Sequence, residues 1–170
     1  MKPFYKFSFL LLFLFSCWKE KSDLSTYGET FEKVMKSEEG IFRGINLGTP
    51  LDSVKLSEVV PAGEEDSTYL YYELALDSVN SINLAYDFES TGLTEIQADI
   101  LIKEEALFND MLSKFKLYFT KKYGEAESSN GFITWTSKTE KHGNIKIALS
   151  DESTDPEYNK LSLSFYNADY

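Results

Sequence analysis

Hydrophobic positions along this chain come first as a block, then at helical spacing, then in alternation. From Phe7 to Phe15 every residue except Ser8 is large and apolar, with Lys2 and Lys6 ahead of the run and Trp18-Lys19-Glu20-Lys21 directly behind it. Crossing a bilayer takes about 20 apolar residues, whereas about 7–15 behind a basic start make a secretion signal. The run has no polar side, so it does not read as a core helix. Residues 1–16 are therefore expected to be a signal segment, 17–25 a polar tether, and 26–170 a single domain.

Within that domain the period predicts the elements. Thr26-Tyr27-Gly28-Glu29 has capping-box spacing, with Phe31, Val34 and Met35 following at helical intervals, so a first helix is expected to end near Gly40. Ile41–Ile45 reads as a strand or extended segment. Thr49-Pro50-Leu51-Asp52 opens a second, brief helix with a hydroxyl cap and a proline at its first position. Three alternating stretches follow: Leu70/Tyr72/Leu74/Leu76, Ile82/Leu84/Tyr86/Phe88 and Ile96/Ala98/Ile100/Ile102. Alternation with polar partners is the mark of antiparallel strands with one buried face. From Lys103 the period lengthens. Leu107, Phe108, Met111, Leu112, Phe115, Tyr118 and Phe119 form a stripe at about 3.6 residues, which predicts a long amphipathic helix stopped by Gly124. Strands around Ile133/Trp135, Ile145/Ile147/Leu149 and Leu161/Leu163/Phe165 complete the order α-α-βββ-α-βββ. The fold class is α+β, an antiparallel sheet packed on the long helix, with two helix-plus-three-strand halves that read as a duplication.

The residues at the end of the first apolar run specify the signal. Leu14-Phe15-Ser16-Cys17 resembles the lipobox of bacterial lipoprotein precursors, with leucine at −3, a small residue at −1 and cysteine at +1; Phe15 departs from the small or β-branched residue usual at −2. The resemblance implies that Cys17 becomes the acylated first residue of the mature protein. Three acyl chains at about 0.8 kcal/mol per buried methylene would anchor it to the membrane without crossing. Trp18 stands where an inner-membrane retention aspartate would lie, which by the same resemblance implies the outer membrane. Gly44-Ile45-Asn46-Leu47-Gly48-Thr49-Pro50-Leu51-Asp52-Ser53-Val54, with Tyr123-Gly124 and Trp135, is similar to small α+β envelope lipoproteins that assist outer-membrane assembly. That likeness carries over no functional residue.

Charge and chemistry then narrow the function. Without residues 1–16 the remaining 154 residues hold 15 basic and 28 acidic side chains, a net −13. A nucleic-acid partner is excluded by repulsion, while a basic envelope protein fits. Cys17 is the only cysteine, and His142, the only histidine, falls in the Lys141-His142-Gly143-Asn144 turn, so neither a thiolate–imidazole metal site nor a histidine triad is expected. No phosphate loop is present, and no cofactor is expected. Glu64-Glu65-Asp66 and the Asp151, Glu152, Asp155 segment read as acidic loops. The second could hold calcium, but it lacks the glycine and glutamate of an EF-hand. Tyr69, Tyr71 and Tyr166 alternate away from the apolar positions, as a sheet-face binding surface requires. The expectation is a membrane-anchored, non-enzymatic binding or scaffolding lipoprotein. The alternatives are an inhibitor or immunity protein against a basic hydrolase or toxin, a carboxylate hydrolase, and an apolar-ligand carrier.

Overall fold

A computed structural model of the chain describes residues 23–139 and 143–168. The signal segment, Cys17, the first part of the tether and His142 lie outside the described residues. Chain order runs from a 3-10 turn (Leu24–Tyr27) through α1 (Glu29–Met35) and α2 (Leu51–Ser57) to β1 (Glu64–Glu65), β2 (Tyr69–Ala75), β3 (Ser81–Glu89) and β4 (Gly92–Ile102). Then come α3 (Glu105–Tyr123), β5 (Glu127–Ser129), β6 (Phe132–Thr139), β7 (Gly143–Asp151) and β8 (Asn159–Asn167). The strands form one antiparallel sheet in the order β1-β2-β3-β4-β8-β7-β6-β5, so the fold is α+β.

Period-two alternation becomes rows across this sheet. Leu70, Tyr86, Ile96, Phe165, Ile147 and Trp135 are successive register partners across six strands. A second row, Tyr72, Leu84, Ala98, Leu163, Leu149 and Ile133, runs beside it. These rows face the helices. Phe119 of α3 meets Trp135 and Phe165, and the Trp135 indole donates to the Thr120 hydroxyl at 3.1 Å. α1 packs in turn on α3 through Phe31 against Phe115 and Tyr118. Stacked rings thus fill the space between sheet and helices. Both edges of the sheet are short and polar, two residues at β1 and three at β5, which leaves little backbone for edge-to-edge pairing.

Several expectations need correction. The order has four strands in each half, not three, because β1 and β5 are too short to show a period. The Thr26–Glu29 capping box does not form: Gly28 is the N-cap of α1, and the Thr26 hydroxyl donates to the Asp23 carbonyl instead. α1 ends at Met35, well before Gly40, with Lys36 in the left-handed region at φ 58°. Leu24 is buried in the 3-10 turn, so packed structure begins inside the stretch assigned to the tether. Ile41–Ile45 is no strand. Arg43 and Gly44 take positive φ and fold it into a tight turn closed by the isolated Phe42–Ile45 bridge. Pro50, not Thr49, is the N-cap of α2, and the Thr49 hydroxyl donates to the Asn46 carbonyl.

That turn delivers Arg43 into the interior. Its Nε and Nη2 each donate at 2.8 Å to the two carboxylate oxygens of Glu58, and Nη1 donates to the Lys33 and Val34 carbonyls at the end of α1. The Tyr86 hydroxyl donates to Glu58 Oε1 at 2.9 Å, and Lys36 Nζ reaches Glu58 Oε2 and the Ser57 carbonyl. One buried ion pair therefore ties α1, the residue capping α2 and β3 together. Burial opposes the Glu58 charge, but the Arg43 hydrogen bonds and charge outweigh it and hold the carboxyl below its ordinary range.

Candidate binding face

The alternate positions of the same strands make the second face of the sheet, and register gives its map. One row reads Tyr69, Asp87, Glu95, Tyr166, Lys146, Thr136. The next reads Tyr71, Ala85, Gln97, Ser164, Ala148, Thr134, and the third Glu73, Asn83, Asp99, Ser162, Ser150, Phe132. The face mixes charged and polar residues with Ala85, Ala148 and Phe132, and carries tyrosines on β2 and β8. The side-chain contacts that join helical segments to strands (Phe119 to Phe165, Trp135 to Thr120, Lys55 to Glu65, Glu58 to Tyr86) all fall on the apolar face. Among the described residues nothing helical lies on the other one.

Tyr69, Tyr71 and Tyr166 share this open face. Tyr69 and Tyr166 end one four-residue row, three strand spacings or about 14 Å apart. Between them stand Asp87 and Glu95, directly opposite each other on neighbouring strands. Burial pushes the Asp87 carboxyl up. Burial, and then the nearby Asp87 and Glu64 charges, raise the Tyr69 phenol; Tyr71 is raised by burial and by Glu73 and Glu64. Among the described residues Glu64, Glu73, Asp87 and Glu95 make no ion pair. Glu95 accepts from Gln97 at 3.0 Å. Beside the row, where Leu47, Gly48 and Leu93 approach Glu95 and Tyr166, a cleft of about 830 Å³ opens.

The opposite corner is electrostatically closed. Lys160 bridges Glu152 at 2.9 Å and Asp99 at 3.3 Å, while the Ser162 hydroxyl donates to Asp99 at 2.6 Å and the Ser150 hydroxyl to Glu152 at 3.1 Å. The Lys160 hydrogen bond holds Glu152 below its ordinary range.

This corner also decides the geometry of the acidic loop read as a calcium candidate. Asp151 accepts from the Ser153 amide, Asp155 from the Glu157 amide, and Glu152 is committed to Lys160. Among the described residues no three acidic, histidine or cysteine side chains are grouped as a metal would need. Glu64 and Glu65, read as loop residues, form β1; Glu65 pairs with Lys55 at 2.7 Å.

Protein families, curated proteins and solved structures yield no match to this chain. Its site is therefore read from its own chemistry. Two signals in the sequence mark what the hydrophobic pattern leaves unassigned. Between Lys55 and Lys103 there is no basic residue against ten acids, and this stretch builds the acidic half of the open face. Arg43 is the single arginine beside sixteen lysines, the residue type suited to a buried two-pronged pair with a carboxylate.

Proposed function

We propose that this protein is a lipid-anchored, non-catalytic binding module of the bacterial envelope that holds a protein partner on the open face of its sheet. The observation that carries the reading is the sheet face opposite the helices, with Tyr69, Tyr71 and Tyr166 half-buried on it; Ala148, Ser150 and Ser162 within it are buried, so its accessible part lies over β2–β4 and the Tyr166 end of β8. Tyrosine supplies large contact area at low entropic cost and is enriched where proteins bind. The lipobox at Leu14–Cys17 supports the anchor, and Trp18 supports the outer membrane. Incorporation of labelled palmitate, abolished by Cys17→Ser, tests the address.

We further read α3 as an amphipathic helix and the two helix-then-strand stretches as copies of one ancestral unit. Phe108, Met111, Phe115, Tyr118 and Phe119 are buried, while Asn109, Asp110, Ser113 and Lys116 are not. Register supports the duplication. Adding 65 to each number turns the pair Ile82–Ile100 into Ile147–Phe165, and Leu84–Ala98 into Leu149–Leu163. Adding 65 on β4 and subtracting 65 on β8 maps the central ladder onto itself, Ile96–Phe165 becoming Leu161–Ile100. A two-fold axis through the β4–β8 ladder would produce this relation.

A photo-crosslinking side chain placed at Gln97 of the full chain in the producing cell tests the binding face. A discrete protein adduct from Gln97, and none from Leu117 on the exposed side of α3, is expected. Adducts from Leu117 alone, or from neither position, would overturn the reading.

A further inference from the structure

We infer that the row Tyr69–Asp87–Glu95–Tyr166 is a receptor for cationic side chains, arginine above all, presented by a protein partner. The inference rests on the open face being the docking surface and adds the chemistry of what docks there. Its starting point is a local defect. Asp87 and Glu95 are direct cross-strand partners, and like charges in that position destabilise a sheet. Among the described residues no lysine or arginine pairs with either. The lysine in their row, Lys146, stands beyond Tyr166, and the opposite corner of the face shows what a satisfied arrangement looks like, with Lys160 bridging Asp99 and Glu152. A rule broken in one place and kept in another on the same surface points to a use for the break.

The flanking residues say which use. A guanidinium between Asp87 and Glu95 would meet charged acceptors that hydrogen-bond it more strongly than neutral ones. Tyr69 and Tyr166 are the next residues on either side in the row, which puts aromatic side chains, favoured partners of a flat cation, beside the two carboxylates. Glu64 and Glu73, without ion pairs, extend the same field around Tyr71. The cleft beside Glu95 and Tyr166 leaves room for a long side chain to enter from the end of the sheet. Because the lysines Lys138, Lys146 and Lys160 all belong to β6–β8, the face is also polar from one half to the other. A partner would thus dock in one orientation, its cationic part over β2–β4.

The test uses the full chain in detergent and a fluorescent octa-arginine peptide, with a glycine–serine peptide of equal length as reference. Asp87→Asn/Glu95→Gln is compared with Glu32→Gln/Glu39→Gln, which removes the same charge from the helical side. The expected result is saturable binding of octa-arginine that weakens at least tenfold in the first variant and less than threefold in the second. The first variant should also melt at a higher temperature, because the like-charge pair is gone. Equal weakening in both variants would mean attraction to net charge alone and would overturn the inference, as would no binding or a lowered melting temperature in the first variant. If Gln97 still crosslinks a partner while octa-arginine fails, the docking face stands and its cationic specificity falls. If octa-arginine binds as expected and Gln97 gives no adduct, the specificity stands without a protein partner on this face.

Discussion

Glu58 is 3% exposed, its neighbours favour the charged carboxylate, and they decide what its burial costs. Removing one member of a buried, hydrogen-bonded pair leaves the other charge uncompensated, at about 3–5 kcal/mol. Glu58→Gln is expected to lose about that much in urea unfolding, since Arg43 then faces a neutral amide. Tyr86→Phe removes one hydrogen bond to the carboxylate and should cost about 1.5–3 kcal/mol in the same assay. The pH dependence follows from the direction of the shift. The Glu58 carboxyl is held below its unfolded value, so its contribution is complete above about pH 4.5 and is lost as pH falls through the lower folded value. Stability measured from pH 6 down to pH 3 should therefore fall less steeply in Glu58→Gln than in the parent. This network was not legible as a hydrophobic pattern, because a buried acid looks like any surface acid in sequence. Only the isolated arginine among lysines hints at it.

Elements were legible wherever one face is wet and the other dry. β2, β3 and β4 alternate in burial as they do in sequence, while β7 and β8 alternate in residue type although Ile147–Ser150 and Leu161–Leu163 are buried on both faces. α3 shows its period because one side packs on Phe31 and Phe165 while the other does not. The connections were less so. Arg43 and Lys36 in the left-handed region cannot be foreseen from residue type, since that conformation normally selects glycine or asparagine. The glycines that do occupy it differ in consequence. Gly92, at φ 103°, lies against the loop before α2: the Gly48 amide donates to the Leu93 carbonyl, and a Cβ at Gly92 would sit 2.5 Å from the Gly48 carbonyl oxygen. Gly124, at φ 93°, has open space around it. Gly124→Ala should then cost about 1–3 kcal/mol of backbone strain alone, because φ 93° with ψ −162° is a conformation essentially confined to glycine. Gly92→Ala should cost more than Gly124→Ala, because backbone must move as well, and thermal unfolding of the two variants side by side checks the ranking. The open face was partly legible too: alternation put Tyr69, Tyr71 and Tyr166 on one side, while the Asp87–Glu95 opposition depends on register, which sequence does not give.

At the scale of the whole molecule the two half-sheets depend on shared partners. Phe31 and Tyr27 of the first half pack on Phe115 and Tyr118 of α3, and β4 finds its second neighbour only in β8. A fragment covering 23–104 lacks both and is expected to be unfolded by circular dichroism and proteolysis, although it holds four strands and two helices. Replacing Phe115 by alanine should cost the intact domain about 3–5 kcal/mol in chemical unfolding, since the ring is wholly buried where α1 meets α3.

The placement of β8 reverses the usual relation between time and position. As the chain is synthesised, this strand emerges after the other seven, yet it is inserted between β4 and β7 near the middle of the sheet. Until residues 159–167 are available, the nascent polypeptide holds two unjoined meanders, each with a long apolar strand lacking its neighbour. The final stitch comes from distant pairings such as Ile96 with Phe165, whose closure is slow. Completion of the sheet thus waits on the last strand to be made, and a ribosome stalled before it releases a chain with an unsewn seam.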